Sequence, residues 1–483
     1  MIRSIAFALT AASVLAQSGA LSCAPDQIRL SLTGSDSEML VSWATESSLT
    51  PSSYQGIVLY GLTPTTMTLK STVADTRNYT MCNLPSPSLH MALLTSLVPG
   101  ATYYYTVTDE AKSCGASVTA QFAAPRIVGE IENAYPFSVF TYGDMGISYS
   151  QDTVNVIAAR INGGTGPDVI THAGDISYAD NRGCPTYDTV QNTYYNEISP
   201  YASQVPVMFS SGNHEAFGAD SKGGFLAYRT RVSPTMPIAN SSSTPFWYSF
   251  NAGRIHFLAF DIDQPWQVDS VQYDFIVNDL KTVNRALTPI VYAYSHFPML
   301  CSNYFWCLDT NGKPTEAMAF RALYEPLFNA PETRVHIFVN GHVHSAEVAY
   351  PVATGSLVPS QTNWDNIKTT FNAMVGFPGD EEVCCNSWQK PAPAYSAWRT
   401  DDVGGDGGTF GFGEFTFLSD TQAVSVVDGV ALLCQCFRKS TWHQVVSLTV
   451  QVLFHPPPSP SPSPSPLSLD FQGMVSCQSF NSL

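Results

Sequence analysis

The chain has 483 residues, 44% hydrophobic and only 13% charged, which is enough apolar sequence for large cores and two or three domains. Acidic residues outnumber basic ones 39 to 22, for a net charge of -17. That balance argues against a nucleic-acid partner, because contacts to a phosphate backbone need clustered Lys and Arg. A small phosphorylated ligand stays open, since a bound metal ion dominates its local field whatever the net charge.

Residues 1–20 read as a signal peptide. Arg3 supplies the positive start, Ile5 to Ala16 is an apolar run too short to cross a bilayer, and Ala16, Ser18, Gly19 and Ala20 offer the small residues of a cleavage site. The expectation is a secreted protein, placed outside the cell or in a cell wall or vacuole. Two glycosylation sequons agree with it, Asn78-Tyr-Thr and Asn240-Ser-Ser. No later stretch of about 20 residues is apolar enough for stable membrane insertion. The eleven cysteines show no CxxC…CxxC zinc pattern, and in an oxidising compartment several should pair. Cys301 and Cys307 could close a short loop; the adjacent Cys384 and Cys385 must reach elsewhere. The odd count leaves at least one thiol over.

Residues 24–125 look all-β. Ile28 to Leu32, Met39 to Trp43, Tyr54 to Tyr60 and Ala101 to Val107 read as short strands separated by Gly, Pro, Ser and Asn. About seven such strands in about 100 residues is the pattern of an immunoglobulin- or fibronectin-like sandwich. Nothing in it looks catalytic, so it reads as a structural or docking module.

From Tyr135 the texture changes, and residues 135–430 read as an α/β domain. Apolar strands end in polar, Gly-containing loops: FSVFTYGDMG, DVITHAGDIS, VPVMFSSGNHE, PIVYAYSHFP and VHIFVNGHVHS. Amphipathic stretches such as Asp152 to Ile161 and Tyr273 to Leu287 lie between them. Apolar strands alternating with helices imply buried, largely parallel sheets. Residues 431–483 read as an irregular tail, with a short apolar segment at Thr441 to Phe454 and a Pro/Ser tract at Pro456 to Pro466 that suits an extended linker.

The chemistry sits in the loops. Asp144 and Asp175 offer carboxylates, Tyr178 a phenol, Asn213 an amide, and His214, His296, His342 and His344 imidazoles. Each falls just past a strand's end, where open α/β sheets bind ligands. The mixed oxygen and nitrogen set suits iron, zinc or manganese better than calcium or a thiolate metal. Seven ligands, with His214 left aside, are too many for one ion and fit two ions sharing a carboxylate. His172, His256 and His336 read as packed core histidines. Asp261 and Asp263 in FLAFDID read equally as groups supporting the site or as helix caps. Asp401, Asp402 and Asp406 read as a solvated loop.

The ordered set GDMG, GDISYAD, GNHE, a His after a strand, and GHVH resembles the metallophosphoesterases. The Tyr within GDISYAD, with the upstream sandwich, makes it similar to the larger plant- and fungal-type purple acid phosphatases. That resemblance implies a multidomain α+β/α/β protein, an all-β sandwich followed by a four-layer α/β/β/α catalytic domain. It implies a ferric ion, Fe(3+), on Asp144, Asp175, Tyr178 and His344, and a divalent ion (Zn, Mn or Fe) on Asp175, Asn213, His296 and His342, with Asp175 bridging. It implies His214 beside the substrate phosphate and hydrolysis of small phosphomonoesters by hydroxide generated at the metals. Phosphodiester or nucleotide pyrophosphate hydrolysis on the same centre, and an inactive binding protein on the same fold, are the alternatives. The sequence departs from the family where Phe305 and Trp306 stand in place of a His pair, with Asn303 or Tyr304 as nearby substitutes. It departs again where Ser345-Ala346-Glu347-Val348 lacks the family's Arg. Oligomeric state is not readable.

Overall fold

The computed structural model describes residues 24–47, 54–111, 114–218, 224–237, 244, 246–303, 307, 315–380, 382, 388–400, 409–432 and 443–454. The expected signal peptide, Asn240, Tyr304, Phe305, Trp306, Asp401, Asp402, Asp406 and the Pro/Ser tract lie outside these residues.

The N-terminal part is a two-sheet sandwich. One sheet orders Asp26–Ser31, Met39–Thr45, Ser88–Leu94 and Asp75–Arg77; the other orders Ala120–Ala123, Thr102–Asp109, Gly56–Gly61 and Leu69–Thr72. Alternation builds it: along Ser88–Leu94 every second residue is buried, as a strand with one face on a core requires. Trp43 and Tyr105 fill the interior. A small hairpin, Thr80–Met81 with Leu84–Pro85, stands apart from both sheets.

The second part carries two larger sheets. The first runs Val207–Ser210, Val169–Ala173, Phe137–Tyr142, Thr409–Ser419, Gln422–Leu432, His443–Leu453; its first three strands are parallel. The second runs Tyr248–Ala252, Ile255–Ala259, Ile290–Tyr294, Ile337–Asn340, Phe371–Val375, Ala346–Ala349, Ser396–Arg399. The sheets face each other through aromatic contacts such as Tyr292 with Phe415, ring centroids 5.7 Å apart. Along Ile290–Tyr294, Ile290, Tyr292 and Tyr294 enter that inter-sheet core. Val291 and Ala293 enter a second core built with helices Val271–Thr282 and Glu316–Asn329. Strands buried on both faces explain the continuous apolar runs. Helices Gln151–Asn162 and Tyr187–Ala202 cover the first sheet, so helix, sheet, sheet and helix form four layers.

Two features correct the sequence reading and a third adds to it. His443–Leu453 is a strand paired along its length with Gln422–Leu432, so residues after 430 are not all irregular. The helix expected to run to Leu287 ends at Thr282: the Asn284 side chain accepts from Ala286 N at 3.1 Å, a local turn that competes with helix continuation. Helix Tyr187–Ala202 buries a face built on Tyr187, Tyr194, Tyr195 and Tyr201, which gave little aliphatic periodicity. His172, His256 and His336 are buried, as expected.

The two parts are joined by polar and covalent contacts. Arg231 is buried and donates to Tyr79 Oη (2.7 Å) and Gln27 Oε1 (3.2 Å) of the sandwich, and to Asp188 (3.0 Å) and Asn192 (2.9 Å) of the long helix. Tyr79 also donates to Asp188. Disulfide Cys82–Cys184 crosses the same boundary, and Cys301–Cys307 closes the short loop anticipated for it. No helix among the described residues is long and apolar enough to cross a membrane.

Candidate metal centre

The strands Phe137–Tyr142, Val169–Ala173, Val207–Ser210, Ile290–Tyr294 and Ile337–Asn340 each stop two or three residues before Asp144, Asp175, Asn213, His296 and His342. Their C-terminal ends converge at one end of the facing sheets. The first sheet brings Asp144, Asp175, Tyr178, Asn213 and His214; the second brings His296, His342 and His344. The turns are tight. Asp144, Asp175, Tyr178 and His342 all adopt left-handed backbone, with φ of 60°, 50°, 56° and 69°. Non-glycine residues accept such strain of order 1–3 kcal/mol each mainly where function requires it. Gly376 packs so closely that a Cβ there would lie 2.7 Å from Asp144 Oδ2.

The seven side chains meet in two overlapping groups. Tyr178 Oη lies 3.0 Å from Asp144 Oδ1 and 2.9 Å from His344 Nε2, which is itself 3.3 Å from Asp144 Oδ1. His296 Nε2 lies 2.9 Å from Asp175 Oδ2, 3.2 Å from Asn213 Oδ1 and 3.1 Å from His342 Nδ1. The groups join at Asp175 Oδ2, 3.4 Å from Tyr178 Oη. Each aspartate has one oxygen pinned by a backbone N–H, His342 N to Asp144 Oδ2 at 2.8 Å and His214 N to Asp175 Oδ1 at 2.9 Å. The other oxygen faces the cluster.

The cluster concentrates buried charge. Asp144 and Asp175 are buried, and among the described residues their only ion-pair partners are imidazoles. Burial opposes ionisation of both, yet His296 beside them holds both carboxyls below the usual range. In return, against the effect of burial, Asp175 raises His296 to about 10, and Asp144 with Asp380 raises His344 to about 11. The donor set fits a metal pair: His296 Nδ1 faces Ala173 O at 2.9 Å, which directs Nε2 into the cluster, the tautomer a metal ligand needs. Burial, then Asp144 and Asp175, push the Tyr178 phenol well above 10, so only a strongly charged cation would ionise it.

His214 stands at the edge of this cluster. Its Nδ1 lies 2.8 Å from Asp180 Oδ2, and its ring packs on Tyr178 with centroids 4.3 Å apart. Burial disfavours its charge, but Asp180 and Asp175 outweigh that and raise it to about 9. Its Nε2 lies 3.8 Å from both Asp175 Oδ2 and Glu382 Oε2.

Several supporting residues were not assigned from sequence. Asp180 lies inside the GDISYAD motif without a role suggested by spacing. Asp380, directly after the Gly-rich segment ending at Gly379, receives His344 Nδ1 at 3.1 Å. Glu215 accepts from the backbone N–H groups of Gly212, Asp175 and Ile176 at 2.8–2.9 Å and so ties two site loops together. Asp261 proves to be a supporting group: it accepts from Ser211 Oγ at 2.6 Å behind Asn213, while Ser270 caps the following helix. Asp263 caps no helix either; its N–H donates to Asp261 Oδ1 at 2.8 Å. Asn303 is fully buried. Glu347 is buried and holds Ser302, whose Oγ receives Arg399 NH1 at 3.1 Å; a different strand thus delivers an arginine near this corner.

Residues 138–346 match the family model of calcineurin-like phosphoesterases, which defines the second part as a metallophosphoesterase. Residues 25–124 match the purple acid phosphatase N-terminal domain, and the two matches together span well over half of the chain. Among curated relatives, "Probable purple acid phosphatase 20" of Arabidopsis thaliana is 27% identical over 403 residues, covering 83% of each chain. A purple acid phosphatase of Glycine max is 26% identical over 393 residues, covering 77% of each. The solved structure of purple acid phosphatase PPD1 from yellow lupin (Lupinus luteus) seeds superposes with a TM-score of 0.68 at 20% identity, over 89% of this chain and 74% of that one, and shows the fold. The chain belongs to the purple acid phosphatase family and is a phosphate-ester hydrolase.

Proposed function

We propose that the protein is a secreted acid phosphatase whose binuclear centre hydrolyses small phosphomonoesters. The observation that carries this reading is the pair of donor groups meeting at Asp175 Oδ2. Asp144, Asp175, Tyr178 and His344 would hold a ferric ion; Asp175, Asn213, His296 and His342 would hold zinc, manganese or iron. Such a pair, when bound, neutralises phosphate oxygens and makes a hydroxide nucleophile available at low pH. The chain's own residues do the rest. His214, kept protonated by Asp180, carries positive charge beside Asp175 and supplies a proton to the departing alkoxide. Asp380 and the Ala173 carbonyl orient His344 and His296. The chemistry lies in the part beginning near residue 135 and extending to about 454; the sandwich from 24 to 125 supports it. Secretion is favoured by disulfides Cys82–Cys184 and Cys301–Cys307 and by the exposed sequon Asn78.

Metal analysis with a visible spectrum, beside rates on p-nitrophenyl phosphate and its bis-ester, tests the proposal. Iron with one divalent metal, a phenolate-to-iron absorption band, and faster monoester hydrolysis at acidic pH are expected. A colourless zinc protein would overturn the ferric assignment, and a faster diester rate would overturn the substrate class. Asp175→Ala with wild-type activity would overturn the mechanism.

A further inference from the structure

We propose that the sandwich hairpin Thr80–Pro85 is a positioning element of the catalytic centre, locked in place by disulfide Cys82–Cys184, so that thiol reduction of this bond lowers turnover. The turnover effect rests on the phosphatase reading; the positioning does not.

Three contacts place the hairpin on both site loops. First, Cys184 follows Asp175, Tyr178 and Asp180 in one loop, separated from Asp180 only by the end of the helical turn Ala179–Arg182 and by Gly183. The disulfide fixes the far end of that loop to Cys82, across a sequence separation of 102. Second, Met81 is buried in an apolar cluster with Ala179, Tyr187, Val190 and Ala227, a cluster that includes the first residue of the turn carrying Asp180. Met81 also abuts Gly218, where a Cβ would lie 2.9 Å from its sulfur; Gly218 lies in the segment bearing Asn213 and His214. Third, Tyr79, the residue immediately before the hairpin, donates to Asp188 in the first turn of Tyr187–Ala202, the helix that continues from the first loop.

The consequence runs through one side-chain pair. Asp180 comes from the first loop and His214 from the second, and they meet at 2.8 Å. The hairpin meets the first loop through Cys184 and the second through Gly218, and no metal-ligating side chain is among these contacts. It therefore sets the distance between Asp180 and His214 without contacting substrate. A displacement of about 1 Å at a reacting group costs on the order of a hundredfold in rate. Cys184 is exposed at the surface, so the bond is open to attack by a thiol. In that exchange a dithiol thiolate attacks one sulfur to form a mixed disulfide. Its second thiol then closes to the reagent's own disulfide. Two electrons pass to Cys82 and Cys184, which leave as thiols with two protons.

The test uses the folded, metal-loaded protein. Dithiothreitol is added while three quantities are followed: kcat and KM on p-nitrophenyl phosphate, metal content, and hydrogen exchange of segments 174–186 and 212–218. The expected result is a kcat about tenfold lower or more, with KM within about twofold, metal retained, faster exchange in both segments, and recovery on reoxidation. The response persists in a Cys301→Ser/Cys307→Ser background. Cys82→Ser/Cys184→Ser has the low kcat already and no further response, and Met81→Ala lowers kcat with the disulfide intact. A double variant with wild-type kcat and exchange overturns the proposal, as does one that loses only thermal stability. Should the double variant not fold, reduction of the folded wild type decides. A wild type that turns over nothing while its exchange still responds to dithiothreitol defeats the phosphatase reading and supports the positioning.

Discussion

Arg231→Met is expected to destabilise the protein by about 3 kcal/mol. Arg231 is 2% exposed and makes four side-chain hydrogen bonds, two to each side of the boundary between sandwich and catalytic part. Removing one partner of a buried charged pair costs about 3–5 kcal/mol, because the remaining charge is left uncompensated. Here the residue left behind is Asp188, whose side chain is 13% exposed. It keeps the Tyr79 hydroxyl, and Asn192 keeps Gln27 Nε2 at 3.2 Å, so the network closes partly on itself. That places the cost at the lower end of the range. The methionine retains the stem's apolar packing, which isolates the polar loss. For a domain of this size about 2–4 °C of melting temperature corresponds to each kcal/mol, giving a fall of about 6–12 °C. Scanning calorimetry on wild type and variant at one metal concentration measures it. A fall below about 2 °C would show that the buried arginine contributes no net stability, and the reasoning from unpaired charge would be wrong.

His90, buried in the sandwich between Thr45 and Thr76, is depressed by burial to about 4. The unfolded chain titrates near 6.5 and binds the proton first, so this stability is present above 6.5 and is lost as pH falls toward 4, about 2.5 kcal/mol by pH 4.5. His90→Gln should flatten the acid limb of a denaturation series by that amount; equal slopes in both proteins would refute it. Asp380→Ala releases His344 Nδ1 and should weaken metal retention about 10–100-fold in a competition with chelator, whereas wild-type retention would deny Asp380 its orienting role. Gly376→Ala drives a methyl against Asp144 Oδ2, and purified protein should lose most of its bound metal; full metal content would mean the loop yields more easily than its packing suggests. Asp180→Asn removes the carboxylate that faces His214 Nδ1 and should lower kcat on poor leaving groups, such as alkyl phosphates, more than on p-nitrophenyl phosphate; an equal drop on both would exclude proton donation.

The parts of this molecule that were readable from sequence are those whose meaning is local. Asp144, Asp175, Asn213, His296 and His342 each follow a short apolar strand and a glycine-bearing turn, so strand, turn and ligand announce one another within about ten residues. The sandwich strands were readable for the same reason, since alternation needs no knowledge of the partner. What stayed hidden depends on a partner distant in sequence. Asp180 is one more acid in an acidic chain until His214 arrives from another strand. Asp380 acquires its role only when the loop after Phe371–Val375 passes under His344. Cys82 and Cys184 could not be paired among eleven cysteines, because a disulfide records a distance between folded elements. The helix Tyr187–Ala202 hid for a related reason: its buried face is built from tyrosines whose hydroxyls find partners in the core, as Tyr194 does with His172 Nδ1 at 2.8 Å. Hydropathy undervalues such a face.

This division bears on what separates one member of the family from another. The ligand motifs specify the reaction class, and they would read the same in enzymes with different substrates. Around His214 the described charges are Asp180, Asp175 and Glu382, with no Lys or Arg among its described ion-pair partners. Among the described residues, His214 is then the cation at this edge of the site. A monoester needs little more than that, whereas a polyphosphate would bring further negative groups toward Asp180 and Glu382, where like charges repel. The groups that set substrate preference are therefore those least visible in a linear reading, and the supporting shell rather than the ligands is where mutation should change what the enzyme accepts.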